Sequence, residues 1–173
     1  MRKETTTRTL YLFSELSTSA RDRAIEKLWD LNVDHEWWDY TYDDATTAGL
    51  KITSFDIDRH DISGRFIESA EACAQAIQDN HGPDCDTRKC ADAYLAIRDS
   101  VIDNAPKDEN GEFESERNLD DKLDDLDKEF RHDILEEYLS ILSKEYDYLT
   151  TREAIEETVE ANEYEFTEKG DLA

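Results

Sequence analysis

The segment LDDKLDDLDKEFRHDILEEYLSILSKEYDY, residues 119–148, reads as one long acidic helix. Leu119, Leu123, Leu126, Phe130, Ile134, Tyr138 and Ile141 recur at steps of three and four, which sets them on one face. Beside them Asp121, Asp125, Glu129, Asp133 and Glu137 keep a strict step of four. At about 1.5 Å of rise per residue, successive carboxylates stand about 6 Å apart along the axis, and each step turns about 40° past a full circle. The acids therefore wind as a slow spiral next to an apolar stripe. Such a helix packs along one side and presents negative charge along another.

On its N-terminal side lies KDENGEFESERN, residues 107–118, which has few large apolar residues and a glycine and is expected to be a mobile acidic loop. Asp108, Glu109, Glu112, Glu114 and Glu116 extend the negative field of the helix, to which Asp120 and Asp124 also belong. From Lys107 through Glu137 there are 14 acids and five bases. Pairs such as Asp124 with Lys128 and Asp127 with Arg131 compensate part of that excess. On the C-terminal side, Thr150 and Glu153 stand at the spacing of a capping box, opening a further helix. EYEFTEK then alternates Tyr164 and Phe166 with acids, as a last strand stopped at Gly170.

Ahead of the acidic region, residues 5–13 alternate and are rich in threonine and aromatics, predicting a strand with Leu10 and Leu12 on one face and Tyr11 and Phe13 on the other, both faces covered. Ser17 or Ser19 caps a helix that turns Ala24, Ile25, Leu28 and Leu31 inward. Asp34 is the expected N-cap of a second helix that closes at Gly49, with Trp38, Tyr42 and Ala45 on one face and Trp37 beside them. LKITSFDID, residues 50–58, alternates, slips one register near Ser54 and resumes at Phe55 and Ile57, the pattern of a β-bulge. Residues 65–67 return as a hairpin partner. Ser69 then opens a helix carrying Ala70, Cys73, Ala74 and Ile77, and Asp86 caps another with Cys90, Tyr94, Ile97 and Val101 inward. The fold class is α+β: a small antiparallel sheet of about four strands with about five helices, one of them long and acidic. Residues 1–173 read as a single domain.

The chain has 173 residues, 38% hydrophobic and 10% aromatic, enough for a core despite a net charge of −25. That charge disfavours nucleic acid and anionic membranes as direct partners and favours a basic protein surface. Adaptation to high salt is the plain alternative source of such acidity. There is no apolar run near 18 residues and no signal-peptide core, so a cytoplasmic protein is expected.

Three constellations bear on chemistry. Cys73, His81, Cys85 and Cys90 are a valid donor set for structural zinc, yet they lack a tight Cys-x-x-Cys knuckle, and Cys73 and Cys90 suit buried helix faces. HEWWD at 35–39 opens like a zinc-protease helix, but Asp39 stands where the second histidine belongs. His60 lies beside Asp56, Asp58 and Asp61, a grouping suited to a divalent cation or acid–base work, in a chain where 45 acids make close carboxylates common. No phosphate-binding glycine loop or nucleophile elbow is present, so neither a catalytic residue nor a cofactor is expected.

Residues 10–59, with their paired Trp37–Trp38 and GLKI strand, and the tail at 149–172 with its ANEYEFTEKG ending resemble a family of small uncharacterised proteins of phages and prophages. The segment HDISGRFIES is shorter and less aromatic than the family's glycine- and serine-rich strand at that place. The resemblance implies an accessory phage gene and brings no catalytic residues with it.

The leading expectation is a non-enzymatic, DNA-mimicking anti-defence inhibitor of the anti-CRISPR or anti-restriction kind, bound to a basic nucleic-acid-binding surface of a host protein. The contact residues would be Asp108, Glu109, Glu112, Glu114, Glu116, Asp120, Asp121, Asp124, Asp125, Glu129, Asp133 and Glu137. A second reading is an adaptor, antitoxin-like protein or homodimer that binds through the aromatic helix at 37–42. A metal-dependent enzyme built on the His60 cluster or the cysteine window is the third.

Overall fold

The computed structural model describes residues 8–173. Of the strand expected at 5–13, residues 5–7 lie outside the described residues. Among the described residues the chain forms six α-helices and four strands, the strands dealt into two antiparallel pairs. The fold is α+β. The residues read as one domain group into two compact units: the described residues up to Trp37 together with Lys144–Ala173, and Trp38–Ser143.

In the first unit, β1 (Tyr11–Leu12) runs antiparallel to β4 (Glu165–Phe166), pairing Tyr11 with Phe166. The odd-numbered face turns inward: Phe13 is buried and packs on Phe166 at 6.0 Å, whereas Leu10 and Leu12 are exposed. The strand is thus covered on one face, not both. Ser17 caps α1 (Thr18–Lys27) by accepting the Ala20 N–H, and Ala20 and Ala24 bury against Phe13 and Val159. In α6 (Arg152–Ala161) the cap is Thr151, whose hydroxyl accepts the Ala154 N–H. Thr150, the expected cap, instead donates back to the Tyr146 carbonyl at 2.9 Å, so the capping box at Thr150 and Glu153 does not form. Gly170 sits at φ +82°, and a Cβ there would meet the Ala20 carbonyl oxygen at 2.2 Å.

In the second unit, α2 (Asp39–Thr47) starts at Trp38, four residues later than Asp34 would place it, and ends before Gly49 at φ +81°. β2 (Leu50–Asp56) and β3 (Asp61–Phe66) form a hairpin with the register shift lying between Ile52 and Ser54, where the sequence slips. β3 is longer than the return segment expected at 65–67. Gly64 lets it approach closely: a Cβ there would stand 2.8 Å from Leu135 and 2.9 Å from the Lys51 carbonyl. α3 (Ala70–Asn80) is capped by Ser69 and buries Ala70, Cys73, Ala74 and Ile77, as its spacing predicts.

In α4 (Asp86–Asp103) the buried residues are Thr87, Ala91 and Tyr94. Ile97, expected inward, is 52% exposed, and Cys85 rather than Asp86 occupies the N-cap. α5 (Glu116–Leu149) begins three residues before Leu119 and buries Leu119, Phe130, Ile134, Leu135, Tyr138, Leu139 and Leu142. Leu123 and Leu126 are half-buried, and Ile141 is exposed at the place where the stripe passes to Leu142. Steps of four drift about 40° each, so the buried face rotates along the helix: in its second half it is set by Leu135, Tyr138, Leu139 and Leu142, and Ile141, about 20° round from Phe130, falls at its edge.

Both close approaches yield a stability test. Gly64→Ala and Gly170→Ala should each destabilise the fold by about 1–3 kcal/mol through overpacking, and Gly170→Ala more because its backbone is left-handed. Urea unfolding followed by tryptophan fluorescence measures both.

Candidate acidic interface

Ser115 opens α5, its hydroxyl accepting the Asn118 N–H at 3.4 Å, and Glu116 places a carboxylate in the first turn where the helix dipole favours it. The loop expected to be mobile carries a defined turn. Lys107 bridges Phe113, and its ammonium lies 5.1 Å over that ring. Asp108 is the centre of this turn: its carboxylate accepts the N–H groups of Asn110 at 2.8 Å and Glu112 at 2.9 Å. Those backbone donors, Glu112 foremost, hold its carboxyl below the usual carboxylate range. Asp108 therefore builds the loop, while Glu109, Glu112, Glu114 and Glu116 point carboxylates from an exposed backbone.

Along α5, Asp120, Asp121, Asp124, Asp125, Glu129 and Asp133 are exposed, and Glu137 is half-buried. The compensating pairs differ from those expected. Lys128 bonds Asp125 at 2.8 Å rather than Asp124. Asp127 accepts the Tyr94 hydroxyl at 2.6 Å instead of meeting Arg131, and burial together with this bond pushes the Tyr94 hydroxyl up. Of the 12 acids expected at the interface, only Asp125 stands in an ion pair among the described residues. The spiral has a structural consequence. Its first members face outward, but Asp133 and Glu137 have wound round to line an open cleft with Glu136, Asp86, Lys89 and Cys90. The sequence reads Asp86 only as a helix cap; its place in this cleft depends on α4 lying alongside α5.

The three cysteines of the window differ in exposure. Cys73 is buried, Cys90 half-buried and Cys85 exposed. Burial pushes both Cys73 and Cys90 thiols up to about 12, with the carboxylates of Asp133 and Glu137 adding to the effect on Cys90. His81 is held at both ring nitrogens, by Thr87 at 2.7 Å and by Asp44 at 3.5 Å. His60 likewise turns away from Asp56, Asp58 and Asp61 to meet Glu136 at 3.1 Å, while Asp56 caps the hairpin turn through the Arg59 N–H. Among the described residues no three histidine, cysteine, aspartate or glutamate side chains gather as a metal ion requires. This holds for the set Cys73, His81, Cys85 and Cys90 and for the His60 grouping.

Of the aromatic segment at 37–42, Trp37 is buried and meets Tyr146 at 5.7 Å with tilted rings, and Trp38 meets Phe55 edge-on at 5.5 Å. Tyr40, 85% exposed, is left to face solvent. Among the described residues no helix is long and apolar enough to cross a membrane. No family model, curated protein or solved structure matches the chain.

The buried thiols set a pH dependence. The folded chain keeps both protons up to about pH 12, whereas an exposed thiol releases its proton near 9. Stability from this source is therefore full below about pH 9 and declines as pH rises towards 12. A thiol reagent at about pH 8 should label Cys85 alone in the native chain, and all three cysteines after denaturation. Mass spectrometry of the labelled peptides distinguishes the two patterns.

Proposed function

We propose that this protein is a non-enzymatic, nucleic-acid-mimicking inhibitor that binds the basic surface of a nucleic-acid-binding host protein through the acidic region at 108–137. The observation that carries this reading is the row of exposed carboxylates on the first half of α5, namely Asp120, Asp121, Asp124 and Glu129, which form no ion pair among the described residues. Like charges at this spacing cost a helix about 0.2–0.5 kcal/mol per i,i+4 pair, and packing of the opposite stripe does not require them. A basic partner offsets that cost. It also gains from the spacing, since carboxylates about 6–8 Å apart along a rod, as from Asp120 to Asp124 and on to Glu129, meet lysine and arginine side chains set out to receive phosphates.

The turn around Asp108 and the exposed Glu109, Glu112 and Glu114 enlarge the same field. Asp133 and Glu137, drawn toward the cleft, contribute at its edge. The phage-family resemblance of the two ends of the chain agrees with such a role, acting in the host cytoplasm on a defence or DNA-processing protein.

The test uses immobilised protein and a bacterial host lysate at about 0.05 M and 0.5 M salt. Wild type should retain a basic protein at the lower salt only, and duplex DNA should displace it. The triple variant Asp121→Lys, Asp124→Lys, Glu129→Lys, which alters only exposed positions, should lose at least tenfold in affinity. Retention that survives the triple substitution, or that duplex DNA leaves untouched, would rule the reading out.

A further inference from the structure

The turning-out of Ile97 leaves an apolar groove beside the acidic face. It lies between the last turns of α4 and the second turn of α5, lined by Ala96, Ile97, Ser100, Val101, Asn104 and Lys122, with a volume of about 440 Å³. Two of its polar side chains are bonded to each other: the Asn104 amide donates to the Ser100 carbonyl at 2.7 Å and to the Ser100 hydroxyl at 3.2 Å. What it offers is therefore the side chains of Ile97, Val101 and Ala96 and the methylene stem of Lys122.

Its rim is acidic on both sides. Asp99 and Asp103, each exposed, lie one turn from Ala96 and Ser100 along α4. Asp125 and Glu129 follow Lys122 by three and seven residues, on the same face of α5. An apolar trough between two rows of carboxylates complements one kind of surface: a helix with an apolar ridge flanked by lysine or arginine.

Resting on the reading above, we infer that the groove between α4 and α5 is where the basic partner docks a cationic amphipathic helix, with Ile97 as the apolar anchor and the flanking carboxylates holding its basic edges. Carboxylates alone would attract any basic protein; the groove makes the attraction selective for a helix with an apolar ridge. The partner segment is thus a helix that normally packs near a phosphate backbone, not a disordered basic tail.

Two labelled peptides of identical leucine–lysine composition test this by fluorescence anisotropy in about 0.15 M salt. One is patterned so that its leucines share a helical face, and the other is scrambled. The patterned peptide should bind wild type about tenfold more tightly. Ile97→Ser should abolish that preference, and Ile97→Leu should keep it. Equal binding of the two peptides, or a preference that survives Ile97→Ser, overturns the groove as a docking site while leaving the acidic surface in place. Failure of both peptides to bind in a salt-sensitive way overturns the acidic surface and the groove together.

Discussion

Three stacked rings hold the larger unit together. Phe130 of α5 lies between Phe66 of the hairpin, 5.6 Å away and nearly parallel, and Tyr94 of α4, 4.3 Å away and nearly parallel. Each ring is on a different element, so two contacts sharing Phe130 orient β3, α4 and α5 at once. Burial of a large apolar side chain contributes about 1.5–3 kcal/mol, and a ring pair adds about 0.5–1.5 more. The stack outweighs by far the tenths of a kcal/mol that each pair of like charges on α5 costs. A chain of net charge −25 can keep a long acidic helix because the opposite side of that helix is held this way.

The stack also decides what the surface looks like. Tyr94 brings its hydroxyl to Asp127, which removes one carboxylate from the outward face. Tyr138 makes a similar contact lower on the helix, donating to Asp44 at 2.9 Å from a fully buried position. With Tyr94 inward, Ile97 is about 60° round the helix from it and about 120° from Ala91, beyond the edge of the buried face. The apolar groove and the acidic rim are therefore products of the same packing that anchors the core.

Much of this was legible in the residues. The bulge at Ser54, the helix from Ala70 with its four buried residues, and the long helix of α5 all follow from local periodicity. The misses share one cause. Thr151 takes the cap from Thr150, α2 waits until Trp38 has packed, and Lys128 chooses Asp125 over Asp124. In each case the local rule admits an outcome that the folded chain does not use. The candidate acidic surface was legible as a charge excess, but the structural task of Asp108 was not, because an aspartate that nucleates a turn looks in sequence like any other acid.

The sequence by itself determined the α+β class, the acidity of the region at 108–137 and the long amphipathic helix, because these depend on composition and on a spacing that repeats over many residues. Only the tertiary structure decided which rotation each helix adopts, and with it the different exposure of Cys73, Cys85 and Cys90, the inward turn of Asp127 and the exposure of Ile97. Periodicity defines a stripe to within about one residue, or about 100° of rotation on a helix. The neighbours that fill the core settle the remainder, and on this helix that remainder separates the carboxylates that face solvent from those that turn toward the fold.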